Sequence, residues 1–148
     1  MANISMANIS TGSAKYEGFG KDGKGHVSTG SGALKDQPYG FKTRFEDEPG
    51  TNPEELIAAA HASCFTMALS FQLAGKGHSD GTIETTCKVT LEKDGEGFKV
   101  SKSALSVTGG GDGLDKATFE ECAQTAKENC PLSKLLDTEI TLETNFNG

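Results

Sequence analysis

The chain has 148 residues, a formal net charge of −7 and 24% charged residues. A chain of this length fits one domain able to bury roughly 70% of its unfolded surface, and the acidic balance argues against a phosphate-binding face and therefore against a nucleic-acid partner. Four cysteines without CxxC spacing are too few for a disulfide scaffold and do not make a zinc ribbon, which leaves reduced thiols in a cytoplasmic protein, with no metal and no cofactor expected.

The first ten residues repeat one pentapeptide, Met1-Ala2-Asn3-Ile4-Ser5 and then Met6-Ala7-Asn8-Ile9-Ser10. They carry no basic stretch and no apolar run of signal-peptide length. They are expected to be flexible, ahead of a single domain over residues 11–148. Residues 14–18 and 25–29 alternate weakly around the turn Lys21-Asp22-Gly23 and predict short strands. After Pro38-Tyr39-Gly40, the run Phe41-Lys42-Thr43-Arg44-Phe45-Glu46 predicts a strand with Phe41, Thr43 and Phe45 on one face and Arg44 on the other.

A long helix follows. Asn52 suits the N-cap, Pro53 the first helical position and Glu55 the capping-box position, and Gly75 and Gly77 mark the end. That is roughly 33 Å of helix. No charge lies between Glu55 and Lys76, so the helix is expected to be apolar nearly all round and buried. Its length also suffices to span a bilayer. His61, Ser63, Thr66, Ser70, Gln72 and the high Ala content argue against a membrane. Residues 82–92 and 97–108 alternate with period two and predict a hairpin closed through Lys93-Asp94-Gly95-Glu96, and Gly109–Gly113 reads as a flexible loop. A second helix is predicted from Asp115, as cap, to Asn129. Pro131 interrupts it, Leu132–Leu136 forms a further turn, and a strand over 138–146 ends the chain with Ile140, Leu142, Thr144 and Phe146 on one face. Segregated strands and helices define an α+β fold.

Two cysteines occupy positions suited to thiol chemistry. Cys64 sits in the middle of the apolar helix. Packing as a small hydrophobe is the commoner fate of a helical cysteine, and a thiolate there requires a neighbouring cation. Arg44 is the candidate, because guanidinium stays charged when buried and its planar fork suits a thiolate or a peroxide oxygen. Glu54 or Glu55 would balance it. Glu54 and Cys64 lie about 15 Å apart along one straight helix. Two copies of the helix crossing antiparallel near Ala58-Ala59-Ala60 would bring them together, which predicts a homodimer. Cys130 precedes Pro131 at a helix break, where a second thiol has the freedom to reach an oxidised Cys64. Cys87 and Cys122 read as structural. His61, one turn before Cys64, is either a nucleophile's base, half of a metal site, or a hydrogen-bonded core residue. A Cys-His hydrolase and a non-catalytic binding dimer are the competing function classes.

Three segments carry a family resemblance. Thr51 through Ser70 resembles the central helix of the OsmC/Ohr family, with Gln37–Glu46 and Asn129-Cys130-Pro131-Leu132-Ser133-Lys134 continuing the match. Glu55-Leu56-Ile57, Ala60-His61-Ala62 and Pro131-Leu132-Ser133 resemble the OsmC branch. The resemblance implies an intertwined α+β homodimer, with antiparallel sheets around a long central helix. It also implies a thiol-dependent peroxidase preferring organic hydroperoxides to hydrogen peroxide and recharged by an external dithiol. By the same resemblance Cys64 matches the peroxidatic cysteine, Cys130 the resolving cysteine, Arg44 the active-site arginine and Glu54 its carboxylate. Apolar neighbours Phe41, Phe65 and Leu132 would then favour alkyl substrates. The repeated start and the Gly-rich stretch 109–113 depart from the family pattern without touching these motifs.

Overall fold

The computed structural model describes residues 7–148, so the first pentapeptide lies outside the described residues; Ala7–Ser10 are exposed and without regular secondary structure. Two compact units divide the chain, one ending at Pro53 and one spanning Glu54–Gly148.

In the first unit, β1 (Gly12–Glu17) pairs antiparallel with β2 (Lys24–Thr29), and β2 with β3 (Gln37–Tyr39). A single 3-10 turn at Gly20–Asp22 connects the first two strands. The segment expected as a strand after Gly40 is instead a short helix, α1 (Phe41–Phe45). The Thr43 hydroxyl accepts from the Gly40 N–H at 2.7 Å and donates to the Gly40 carbonyl at 3.0 Å, closing the first turn. Helical spacing then stacks Phe41 against Phe45, with ring centroids 5.0 Å apart. The Arg44 guanidinium lies 5.4 Å from the Phe45 ring centroid, beside that ring rather than on an opposite face.

The second unit holds the long helix α2 (Pro53–Gly75), the strands β4 (Gly81–Asp94) and β5 (Gly97–Gly111), the helices α3 (Lys116–Asn129) and α4 (Pro131–Leu135), and β6 (Glu139–Phe146). The β4–β5 hairpin turns through Gly95 (φ 64°) and contains one register shift at Thr90/Leu91. β6 joins β5 in parallel, which makes this sheet mixed rather than wholly antiparallel. A parallel neighbour needs a crossover, and α3 with α4 supplies it. Asp115 caps α3 as expected, its carboxylate accepting from the Thr118 N–H at 2.7 Å. Gly109–Gly111 are paired with Ile83–Gly81 and belong to β5, not to a loop. A Cβ at Gly109 would stand 2.5 Å from the Thr82 carbonyl oxygen, so the glycines permit close strand approach.

The core of this unit lies between α2, α3 and the sheet. Phe65, Leu69 and Leu73 from α2 meet Leu105 and Val107 from β5 and Phe119, Cys122, Ala123 and Ala126 from α3. The expectation of burial all round α2 does not hold within one chain. Only His61, Phe65, Leu69 and Leu73 are buried, a single stripe four residues apart. The sheet and α3 cover one side of the helix, leaving Met67 62% and Phe71 71% exposed. By length and composition α2 is also apolar enough to cross a membrane.

Candidate active site

Cys64 and Cys130 are brought into contact within the second unit. Cys64 lies mid-way along α2, one turn beyond His61 and half-buried; Cys130 is completely buried. Pro131 explains the placement of Cys130. Proline disfavours helical backbone in the residue before it, and Cys130 accordingly leaves α3 in an extended conformation (φ −57°, ψ 130°) before Pro131 starts α4. Its N–H still donates to the Ala126 carbonyl at 2.9 Å, while its own carbonyl accepts from Lys134 N–H at 3.1 Å. Cys130 thus joins the two helices with its thiol turned inward against Cys64.

Burial pushes the Cys64 thiol above its ordinary pKa, and the Cys130 thiol, hydrogen-bonded to it, pushes in the same direction; a hydrogen bond from the Leu132 backbone acts the opposite way. All four cysteines are free thiols. Burial also raises Cys87 and Cys122, the former offset in part by a hydrogen bond with Ser103. Both pack with the core, as read from the sequence.

His61 is neither the base of a Cys-His pair nor turned to a metal. It is fully buried, with Nδ1 2.7 Å from Ser103 Oγ and Nε2 2.8 Å from Ser133 Oγ. Both ring nitrogens are committed, and burial lowers its pKa, favouring neutral imidazole. Ser103 is itself fully buried and lies 3.2 Å from Cys87 Sγ. The sequence assigned no role to Ser103 or Ser133. Ser103 was detectable from its period-two spacing with Leu105 and Val107, which puts it on the inner face of β5; Ser133 stood in the Cys130-Pro131-Leu132-Ser133 motif with nothing local to mark its partner.

Of the remaining candidates, Arg44 lies on α1 in the first unit, and Glu54 lies in the first turn of α2 with Glu55 beside it. Phe65 is wholly buried in the core, so it does not offer an apolar surface to a substrate; Leu132, next to Cys64, is half-buried against the same core.

An α+β chain with two free thiols in contact, one central on a long helix and one at an X-Pro break, defines a dithiol protein. The OsmC-like protein family model matches residues 45–145, and the chain belongs to that family. It is 53% identical over 132 residues to Peroxiredoxin OsmC of Escherichia coli (strain K12), covering 89% of this chain and 92% of that one. It is 33% identical over 112 residues to the organic hydroperoxide resistance protein OhrB of Bacillus subtilis (strain 168), covering 74% and 79%. The crystal structure of Bacillus subtilis OhrB superimposes with a TM-score of 0.65 at 27% identity, over 93% of this chain and 98% of that one. An OsmC-like protein of Vibrio cholerae shares the fold, with a TM-score of 0.75 at 16% identity over 93% and 99%.

Proposed function

We propose that this protein is a thiol-dependent peroxidase that reduces organic hydroperoxides, and hydrogen peroxide less well, through Cys64 and Cys130. The contact between these two thiols carries the reading, because a cysteine that is oxidised and resolved within one chain needs its partner at hand. The 53% identity to a protein named a peroxiredoxin supports it, as does the likeness to one named for organic hydroperoxide resistance.

The Cys64 thiolate attacks the outer oxygen of R–O–O–H. An S–O bond forms, the O–O bond breaks, and the alkoxide takes a proton and leaves as the alcohol. Cys64 is now a sulfenic acid. The Cys130 sulfur attacks it, the S–S bond replaces the S–O bond, and the released hydroxide leaves as water with the thiol proton. An external dithiol restores both thiols by exchange.

Burial opposes the thiolate at Cys64, so the scheme needs a cation. Arg44 takes that role, hydrogen-bonding the sulfur and then the breaking O–O unit, with Glu54 as its carboxylate partner. Residues 11–148 act as one family domain. The working form is a cytoplasmic homodimer, clear of membrane and nucleic acid, in which the exposed apolar face of α2 meets a second copy.

The test is turnover of cumene hydroperoxide with a dithiol reductant. Cys64→Ser is expected to lose activity by orders of magnitude. Cys130→Ser is expected to complete one reduction per site and then stall, with Cys64 driven to sulfinic acid. Undiminished turnover by Cys64→Ser would exclude the scheme.

A further inference from the structure

His61 joins three elements. Ser103 on β5 holds Nδ1 at 2.7 Å, and Ser133 on α4 holds Nε2 at 2.8 Å. Both His61 and Ser103 are completely buried. The two serines are neutral, and each hydroxyl donates or accepts, so the pair of bonds survives either tautomer of the ring. The imidazole is therefore a bridge from the sheet through α2 to α4. On α2, Cys64 follows His61 by one turn; on α4, Ser133 follows Cys130 by three residues. The bridge and the thiol pair thus lie side by side between the same two helices.

α4 has five residues, too few to hold a helix by its own hydrogen bonds. It is set off from α3 by the extended backbone of Cys130. A tie through Ser133 fixes this short element to the buried body of the unit, and with it the Cys130–Leu132 stretch that touches Cys64. We propose that Ser133, anchored by His61, is a positioning residue that holds Cys130 at Cys64 and so raises the effective concentration of the resolving thiol. This rests on the peroxidase reading above.

In the condensation step Cys130 sulfur displaces oxygen from Cys64, with the S–S bond closing to about 2.05 Å and water leaving. The competing event is attack by a second hydroperoxide, which takes Cys64 to sulfinic acid. On this proposal the contacting sulfurs close to bonding distance while α4 stays in place, so a fixed α4 favours closure over overoxidation.

Two measurements on the full chain test this. The first is the equilibrium fraction of the Cys64–Cys130 disulfide in glutathione redox buffers. The second is the rate of disulfide closure after one equivalent of cumene hydroperoxide. Ser133→Ala is expected to lower effective concentration and closure rate about tenfold, the scale of one lost hydrogen bond, and to increase sulfinic acid at excess peroxide. Ser133→Thr, which keeps the hydroxyl, is expected to behave as wild type. Thr66→Val, which removes the 2.6 Å hydrogen bond between α2 and Thr85 on β4, controls for general loosening and is expected to leave both readouts unchanged. Closure and equilibrium unaltered in Ser133→Ala, a more stable disulfide in that variant, or an equal loss in Thr66→Val would overturn the proposal. A wild-type Cys64 inert to hydroperoxide would instead remove the peroxidase reading, and the glutathione equilibrium would still decide the role of Ser133.

Discussion

Cys64 is held under opposing pressures. Desolvation and the neighbouring Cys130 thiol disfavour its anion, while the Leu132 backbone favours it. A thiol whose pKa is raised is largely protonated near neutral pH, and its reaction with peroxide accelerates as pH rises toward that pKa. A guanidinium at the sulfur has the reverse effect, stabilising the anion and bringing the rise to lower pH. Arg44→Ala is therefore expected to move the midpoint of the pH–rate profile for hydroperoxide attack upward. It is also expected to slow attack near neutral pH by about 10²-fold, the scale of losing one charge-stabilising donor. Stopped-flow rates across pH read both effects. A profile and rate unchanged in the variant would show that Arg44 does not serve the thiol.

At the scale of the elements, local chemistry was legible and distant pairing was not. Pro53 and the terminal glycines marked α2, Asp115 marked α3, and Pro131 marked the break that turns Cys130 inward. The β4–β5 alternation gave a hairpin. Phe41, Thr43 and Phe45 satisfy a period of two, yet the Thr43 hydroxyl closes a helical turn on Gly40, a local hydrogen bond that hydrophobic pattern does not register. Gly109–Gly111 carry the composition of a loop, but their lack of side chains is what lets β5 approach β4. His61 shows the limit most clearly. Its partners lie 42 and 72 residues away, so the residue type and its helix face were readable while the bridge itself required the tertiary fold. The thiol pair is a similar case: two suitable cysteines were evident, and their contact was not.

At the scale of the molecule, the outer face of α2 is the unusual surface. A helix without charges between Glu55 and Lys76 buries one stripe and leaves Met67 and Phe71 largely exposed. Exposed apolar area of this kind marks association surfaces, and the proposed homodimer would cover it with a second α2. Light scattering is expected to give twice the 15.5 kDa chain mass, and Phe71→Glu is expected to shift it toward monomer; a wild-type protein of single-chain mass at micromolar concentration would contradict the dimer. The chemistry assigned to that assembly depends on two sulfurs acting in sequence. Its most direct test is peptide mapping of the wild-type chain after one equivalent of cumene hydroperoxide. The account predicts loss of two thiols, with Cys64 and Cys130 recovered as a single disulfide and Cys87 and Cys122 unmodified. Recovery of Cys64 as free thiol after the peroxide is consumed, or of a disulfide that excludes it, would contradict the account.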